Sequence, residues 1–116
     1  MRLLLAVTFA LALFAPDGAE EVRRGNELFR QGKYAEAVTL YRRGLARMTA
    51  DPSPVRAGLY NNLGMTRYQQ SSFTEARQAF NEGMAVATTS SGKSRLAYNA
   101  GNASFREKQL EEALAY

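Results

Sequence analysis

The chain contains neither cysteine nor histidine among its 116 residues. Without cysteine it has no disulfide, no thiolate metal site and no thiol nucleophile, and without histidine it has no imidazole ligand or base. A phosphate-binding loop after a strand is missing too, because no segment shows the alternation that predicts a strand. We therefore predict that the protein is not an enzyme and needs no cofactor and no metal.

The chain also has only a small excess of positive over negative charge. Fifteen lysine and arginine residues against eleven aspartate and glutamate residues leave a net charge of +4. A nucleic-acid-binding surface needs basic residues clustered on one face, and this modest excess does not indicate one. Apolar residues make up 46% of the chain, which suits a helical protein of one domain. These proportions favour a protein or peptide partner and no nucleic acid.

The chain has one long apolar run, at its N-terminus. Arg2 is followed by thirteen residues, 3–15, that are apolar except for one threonine, and Pro16 then interrupts the run. A short positive start, an apolar run of this length and a break are typical of a secretory signal peptide. The run is shorter than the roughly 20 residues that span a bilayer. We predict a signal peptide at residues 1–19 and a secreted or periplasmic location in the cell envelope.

Two alternatives remain open for this segment. It could stay uncleaved as an N-terminal anchor, which would be the protein's one route to a membrane, or it could form a buried first helix. The cleavage site is open as well, since neither candidate, after Ala15 or after Ala19, has small residues at both preferred positions.

Residues 20–116 show apolar positions three and four residues apart, which is the spacing of amphipathic helices. Very short breaks, such as those at Gly32 and Ser71, separate these helices in pairs, so the two helices of a pair must pack antiparallel. The predicted helices are residues 20–31, a second that begins at Tyr34 and ends before residue 49, 54–70, 73–87, 93–108 and a sixth that begins at Leu110.

Small residues recur in phase along this helical region. The same pattern of glycine and alanine, 12 residues apart, occurs three times, at Gly25 and Ala37, Gly64 and Ala76, and Gly101 and Ala113. A glycine inside a helix costs about 1 kcal/mol relative to alanine, so three in phase indicate that packing requires them. Small residues on both helices of a pair would let the two axes approach closely.

These residues resemble the tetratricopeptide repeat, whose pattern runs aromatic, Leu-Gly, aromatic, Ala, Phe, Pro. The middle copy carries it at Tyr60, Leu63, Gly64, Tyr68, Phe73, Ala76 and Phe80. The resemblance covers residues 20–116 and implies an all-α fold, a right-handed α-solenoid of antiparallel helix pairs. It implies about three repeats, at residues 20–50, 57–90 and 94–116, with the last incomplete. Since no terminal cap is present, we expect the chain to be a fragment of a longer protein.

In this family the first helix of each pair lines a concave surface that binds a partner. The resemblance implies a peptide-binding groove at Asn26, Phe29, Arg30, Asn61, Met65, Tyr68, Gln69, Arg95, Tyr98, Asn102 and Arg106. Asparagine would hold a peptide backbone through its donor and acceptor, and arginine would bind a carboxylate. The alternative for the aromatic members, and for Phe105, is packing between repeats.

Chaperone-binding members of the family hold a C-terminal carboxylate at five positions of such a groove. The matching residues are Val22, Asn26, Asn62, Arg95 and Asn99. Two of the required positive charges are missing, so a full carboxylate clamp is not expected.

The leading hypothesis is a non-enzymatic protein-interaction scaffold exported to the bacterial cell envelope. The segment 98–103, with its Tyr-Asn and Gly-Asn-Ala, is similar to envelope repeat proteins of the aerotolerance (Bat-type) group. One alternative is a docking domain of a larger enzyme whose catalytic part lies beyond residue 116. The other is an adaptor at a membrane surface, held there by the uncleaved N-terminus.

Overall fold

The computed structural model describes residues 18–48 and 54–115. These residues form five α-helices, and no strand occurs among them. The helices are α1 (Ala19–Arg30), α2 (Tyr34–Arg47), α3 (Pro54–Gln69), α4 (Phe73–Val86) and α5 (Ser90–Leu114). The bounds of α1 to α4 lie within one residue of those predicted. The predicted signal peptide lies outside the described residues except for its last two positions.

The turns inside the two helix pairs share one geometry. Gly32 and Ser71 both adopt a positive φ, of 76° and 60°. After α1, the N–H of Lys33 donates to the carbonyl of Leu28 at 2.9 Å, and the same bond recurs after α3 between residues 72 and 67. This left-handed C-terminal motif ends a helix within two residues and directs the chain back along it.

The predicted third turn does not form, and the prediction of separate helices at 93–108 and from Leu110 is wrong. The chain instead runs through this region as a single helix of 25 residues. Lys108 stands at the position that Gly32 and Ser71 occupy in the first two copies, seven residues after the repeat glycine. Lysine and its glutamate, glutamine and leucine neighbours all favour the helix, and none favours the left-handed conformation.

The glycines of the first two copies lie beneath aromatic rings of the second helix. A Cβ built at Gly25 would lie 2.7 Å from the Tyr41 ring, and one at Gly64 would lie 2.4 Å from the Phe80 ring. Both rings are only 1% exposed. The expected close contact between small residues is therefore a contact between a glycine and the ring 16 residues later. Among the described residues, nothing lies within 4 Å of a Cβ built at Gly101, because α5 continues where a turn to a second helix was predicted.

Two apolar clusters hold the helices together, and α3 contributes to both. The first joins α2, α3 and α4 and contains Ala37, Val38, Tyr41, Leu59, Leu63 and Ala79, with Val22, Leu28 and Phe29 of α1 packed against it. The second joins α3, α4 and α5 and contains Ala57, Ala76, Phe80, Leu96, Ala100 and Ala103. The pair α3–α4 is thus packed on both sides, whereas Phe105, Leu110 and Leu114 of α5 are exposed. Within the described ranges, no helix has both the length and the apolar character needed to cross a bilayer.

Candidate functional site

The first helices of successive copies, α1, α3 and α5, contact one another, and two pockets lie along their line of contact. The Tyr41 pocket, between α1 and α3, has a volume of about 210 Å³ and is lined by Asn26, Phe29, Arg30, Tyr41, Asn61, Asn62 and Met65. The Phe80 pocket, between α3 and α5, has a volume of about 190 Å³ and is lined by Met65, Tyr68, Gln69, Phe80, Asn99 and Asn102. Met65 belongs to both pockets, so together they form one groove across the three helices.

The structure brings eight of the eleven predicted site residues into this groove. The other three lie around it. Arg95 lines a third depression, between the N-terminal ends of α3 and α5, which it shares with Asn61. Arg106 lies against the ring of Tyr68 at the edge of the groove. Tyr98 is 71% exposed and lines none of the three depressions.

Four lining residues were not among the predicted groove positions. Tyr41 and Phe80 come from the second helices and form the floors of the two pockets. Asn62 and Asn99 stand two residues before Gly64 and Gly101, so their repeated position in the sequence was a signal for them. In the sequence these two asparagines match positions of a carboxylate clamp that was not expected to be complete, and the contacts that they make were not predicted.

Hydrogen bonds between asparagine side chains connect the three helices. Asn62 Nδ2 on α3 donates to Asn26 Oδ1 on α1 at 3.2 Å, and the Tyr41 hydroxyl donates to the same oxygen at 2.7 Å. Asn99 Nδ2 on α5 donates to Asn61 Oδ1 on α3 at 2.8 Å. These bonds fix the orientation of the four side-chain amides. Burial raises the pKa of the Tyr41 phenol, against the opposing charge of Arg30, so the hydroxyl remains a donor at neutral pH.

Each asparagine pair uses one amide oxygen and one amide nitrogen. The remaining groups are Asn26 Nδ2, Asn61 Nδ2, Asn62 Oδ1 and Asn99 Oδ1, which have no hydrogen-bond partner within residues 18–48 and 54–115. Asn61, Asn62 and Asn99 are partly buried, so these donors and acceptors are held in place rather than freely rotating in solvent.

The aromatic residues of the groove pack across the turn of their own helix pair. Phe29 lies edge-on to Tyr34, with ring centroids 5.5 Å apart, and Tyr68 lies edge-on to Phe73 at 5.2 Å. Both Phe29 and Tyr68 nevertheless line a pocket, so they serve packing and the groove together. Phe105, the equivalent residue of the third copy, is 62% exposed because α5 continues where a turn would bring a partner to it.

Among the described residues, no aspartate or glutamate lines any of the three depressions, whereas two arginines do. Arg30 is paired with Glu27 at 2.8 Å in a solvent-exposed ion pair. In the part of the chain that the structure describes, neither Arg95 nor Arg106 has a carboxylate within 4 Å. Arg95 and Arg106 therefore make the edges of the groove positive, and the arrangement suits an uncharged or acidic ligand. The described residues contain no group of acidic side chains that could hold a metal ion.

Antiparallel helix pairs that stack through aligned first helices define the α-solenoid class of repeat proteins. The family model for the tetratricopeptide repeat matches residues 21–89, which is more than half of the chain. The protein therefore belongs to the tetratricopeptide repeat family, as the sequence predicted. A comparison with curated proteins found no match. Repeats of this family generally mediate protein–protein interaction and typically form non-catalytic scaffolds.

Proposed function

We propose that the protein is a non-enzymatic scaffold that holds an extended segment of a partner protein in the groove across α1, α3 and α5. The observation that best supports this is the pair of hydrogen bonds Asn62–Asn26 and Asn99–Asn61. Each bond leaves one NH₂ donor and one C=O acceptor without a partner among the described residues. A peptide backbone needs the same two groups, a donor for its carbonyl and an acceptor for its N–H.

Backbone hydrogen bonds alone would hold such a segment weakly. Each of the four available groups contributes about 0.5–1.5 kcal/mol net when it forms a bond. Their sum, about 2–6 kcal/mol, is below the roughly 8 kcal/mol that corresponds to a micromolar dissociation constant. Burial of one large apolar side chain adds about 1.5–3 kcal/mol. The pockets on either side of Met65 are therefore as necessary for this function as the asparagines.

Binding of fluorescein-labelled random dodecapeptide pools to the full chain, followed by fluorescence anisotropy, tests this proposal. We expect the double variant Asn61→Ala, Asn62→Ala to weaken binding of all pools by a similar factor, because the asparagines contact the backbone and not a particular side chain. Pools with N-methylated backbones should bind weakly to the unaltered protein for the same reason.

The matched control is Asn81→Ala, which changes an exposed asparagine on α4 outside the groove. It should leave binding unchanged. If no pool binds the unaltered protein, or if N-methylation has no effect, the groove does not hold a peptide backbone.

Export to the bacterial cell envelope is part of this proposal and rests on the N-terminal sequence pattern and on the likeness of segment 98–103 to the Bat-type group. N-terminal sequencing of the protein from fractionated cells tests it. A mature N-terminus near residue 16 or 20 in the envelope fraction supports export with cleavage. The intact N-terminus in the membrane fraction would instead favour the uncleaved anchor, and recovery in the cytoplasm would exclude both.

A further inference from the structure

We infer that the groove selects partner segments in which an apolar side chain is adjacent to an acidic one, with the apolar side chain in the Phe80 pocket and the carboxylate on Arg106. This inference rests on the proposed peptide-binding function and specifies its ligand. The two pockets differ in their lining, and Arg30, Arg95 and Arg106 around the groove differ in their neighbours. These differences determine which ligand fits.

The two pockets differ in the chemistry of their floors. Tyr41 brings a hydroxyl that is bonded to Asn26 at 2.7 Å, so the floor of the first pocket carries a polar group. Phe80 at the matching position has no polar atom. Met65, which is 37% exposed, adds a flexible apolar wall. The Phe80 pocket thus has the more apolar floor of the two, and its volume of about 190 Å³ suits one large side chain.

Arg106 is held at the edge of the Phe80 pocket by two aromatic rings. Its guanidinium carbon lies 4.9 Å from the ring centroid of Phe73 and 5.8 Å from that of Tyr68, and its Nη1 lies 3.5 Å from the Tyr68 hydroxyl. A guanidinium stacked in this way keeps N–H groups at its edge, where a planar carboxylate can bind two of them. Because Tyr68 also lines the Phe80 pocket, one side chain separates the apolar site from the cation.

The nearest acidic neighbour of Arg106 in the sequence does not neutralise it. Glu107 points to Arg77 on α4, with Nε and Oε2 3.4 Å apart. No other described carboxylate forms an ion pair with Arg106. Arg106 is oriented by two rings beside a pocket that has an apolar floor and no acidic lining residue in the described part of the chain. An apolar side chain next to an acidic one in the ligand would complement this arrangement.

The charge is specific to this end of the groove. The residues equivalent to Arg106 are Gln69 in the second copy, which is neutral, and Arg30 in the first, which is paired with Glu27. Of the two pockets in the groove, the Phe80 pocket is therefore the one that combines an apolar floor with an arginine that has no acidic partner among the described residues. This combination favours an acidic protein segment over a basic or a purely apolar one.

The test uses the full chain and fluorescein-labelled dodecapeptide pools with random flanks and a fixed central pair: Leu-Glu, Leu-Gln, Leu-Lys or Ser-Glu. We expect the Leu-Glu pool to bind about tenfold more tightly than the Leu-Gln pool, which is the low end of the effect of a hydrogen bond to a charged group. Leu-Lys should bind more weakly than Leu-Gln, and Ser-Glu should lose the contribution of the apolar pocket. Added salt should weaken Leu-Glu binding and leave Leu-Gln binding almost unchanged.

Substitutions of Arg106 then test whether its guanidinium binds the acidic side chain. Arg106→Gln should remove the preference for glutamate, and Arg106→Glu should reverse it, so that the Leu-Lys pool becomes the tightest. Met65→Ser should reduce the preference for leucine over serine and keep the preference for glutamate. The matched control is Arg42→Gln, an exposed arginine on α2 outside the groove, which should change neither preference.

The failure of this inference is distinct from that of the proposed function. Equal binding of Leu-Glu and Leu-Lys, or an unchanged glutamate preference in Arg106→Glu, overturns the assigned specificity while peptide binding itself stands. Absence of binding by every pool overturns both.

Discussion

Replacing Gly64 by alanine would place a methyl group in space that the Phe80 ring occupies. The new Cβ would lie 2.4, 2.6 and 2.8 Å from three ring carbons, Cε1, Cδ1 and Cζ. Carbon atoms in contact are about 3.5–4.0 Å apart, so the ring must move by about 1 Å. Phe80 is 1% exposed and packs among Ala76, Ala100 and Ala103, so a movement of the ring disturbs these buried contacts.

Two effects of opposite sign decide the result. Alanine is about 1 kcal/mol more favourable than glycine inside a helix. Overpacking a core typically costs about 1–3 kcal/mol, and a displacement of this size at a fully buried ring belongs near the upper end of that range. We therefore expect Gly64→Ala to lower the free energy of unfolding by about 1–2 kcal/mol.

The third copy of the repeat supplies a matched control. Gly101 has the same position in the pattern, but no atom of the residues that the structure describes lies within 4 Å of its Cβ position. Gly101→Ala should therefore show the helix preference alone and raise the free energy of unfolding by up to about 1 kcal/mol.

Urea denaturation followed by circular dichroism at 222 nm measures both variants against the unaltered chain. We expect Gly64→Ala to lower the free energy of unfolding and Gly101→Ala to raise it. If both variants stabilise the protein by similar amounts, the Phe80 ring does not pack on Gly64, and the packing scheme of the helix pairs is wrong.

Three further variants test local features of the fold by the same measurement. Ser71→Gly should stabilise the protein by up to about 1 kcal/mol, because serine is strained at a φ of 60° and glycine is not; destabilisation would contradict this. Thr89→Ala should cost about 1 kcal/mol, since its hydroxyl accepts the N–H of Gly92 at the start of α5, whereas Thr88→Ala should have little effect. The pKa of Glu21 is lowered below its usual 4.5, mainly by a backbone hydrogen bond and secondly by the side-chain bond to Arg47. The ionised carboxylate therefore stabilises the fold above pH 4.5, and this contribution is lost as the pH falls through the lowered pKa. Glu21→Gln should accordingly flatten the acid side of the stability profile, and an unchanged profile would mean that Glu21 is not linked to folding.

The first four helices could be predicted from the sequence because their signals are local. Apolar residues at helical spacing and a glycine or a pair of serines at each turn define where α1 to α4 begin and end. The third turn was predicted from the repeat register alone, with no turn-forming residue near Lys108. The structure has a continuous α5 there because local helix preference is unopposed at that point.

The groove could be predicted in part for a similar reason. Repeat register places Asn26, Asn61 and Met65 on the first helices, and these helices do lie side by side. Register does not say which amide on one helix reaches which amide on the next. The two donors, Asn62 and Asn99, hold the same place in the repeat pattern. Their acceptors, Asn26 and Asn61, hold different places in it.

The sequence by itself determined the repeat, the helix periodicity and the need for small residues at Gly25 and Gly64. Only the tertiary structure decided what fills the space above each glycine, which is Tyr41 at Gly25, Phe80 at Gly64 and no described residue at Gly101. Helical periodicity is a property of one chain segment, and it fixes which side of a helix a residue occupies. The neighbour of that residue depends on the separation and rotation of two helices, and those are set by the packing of all the side chains between them.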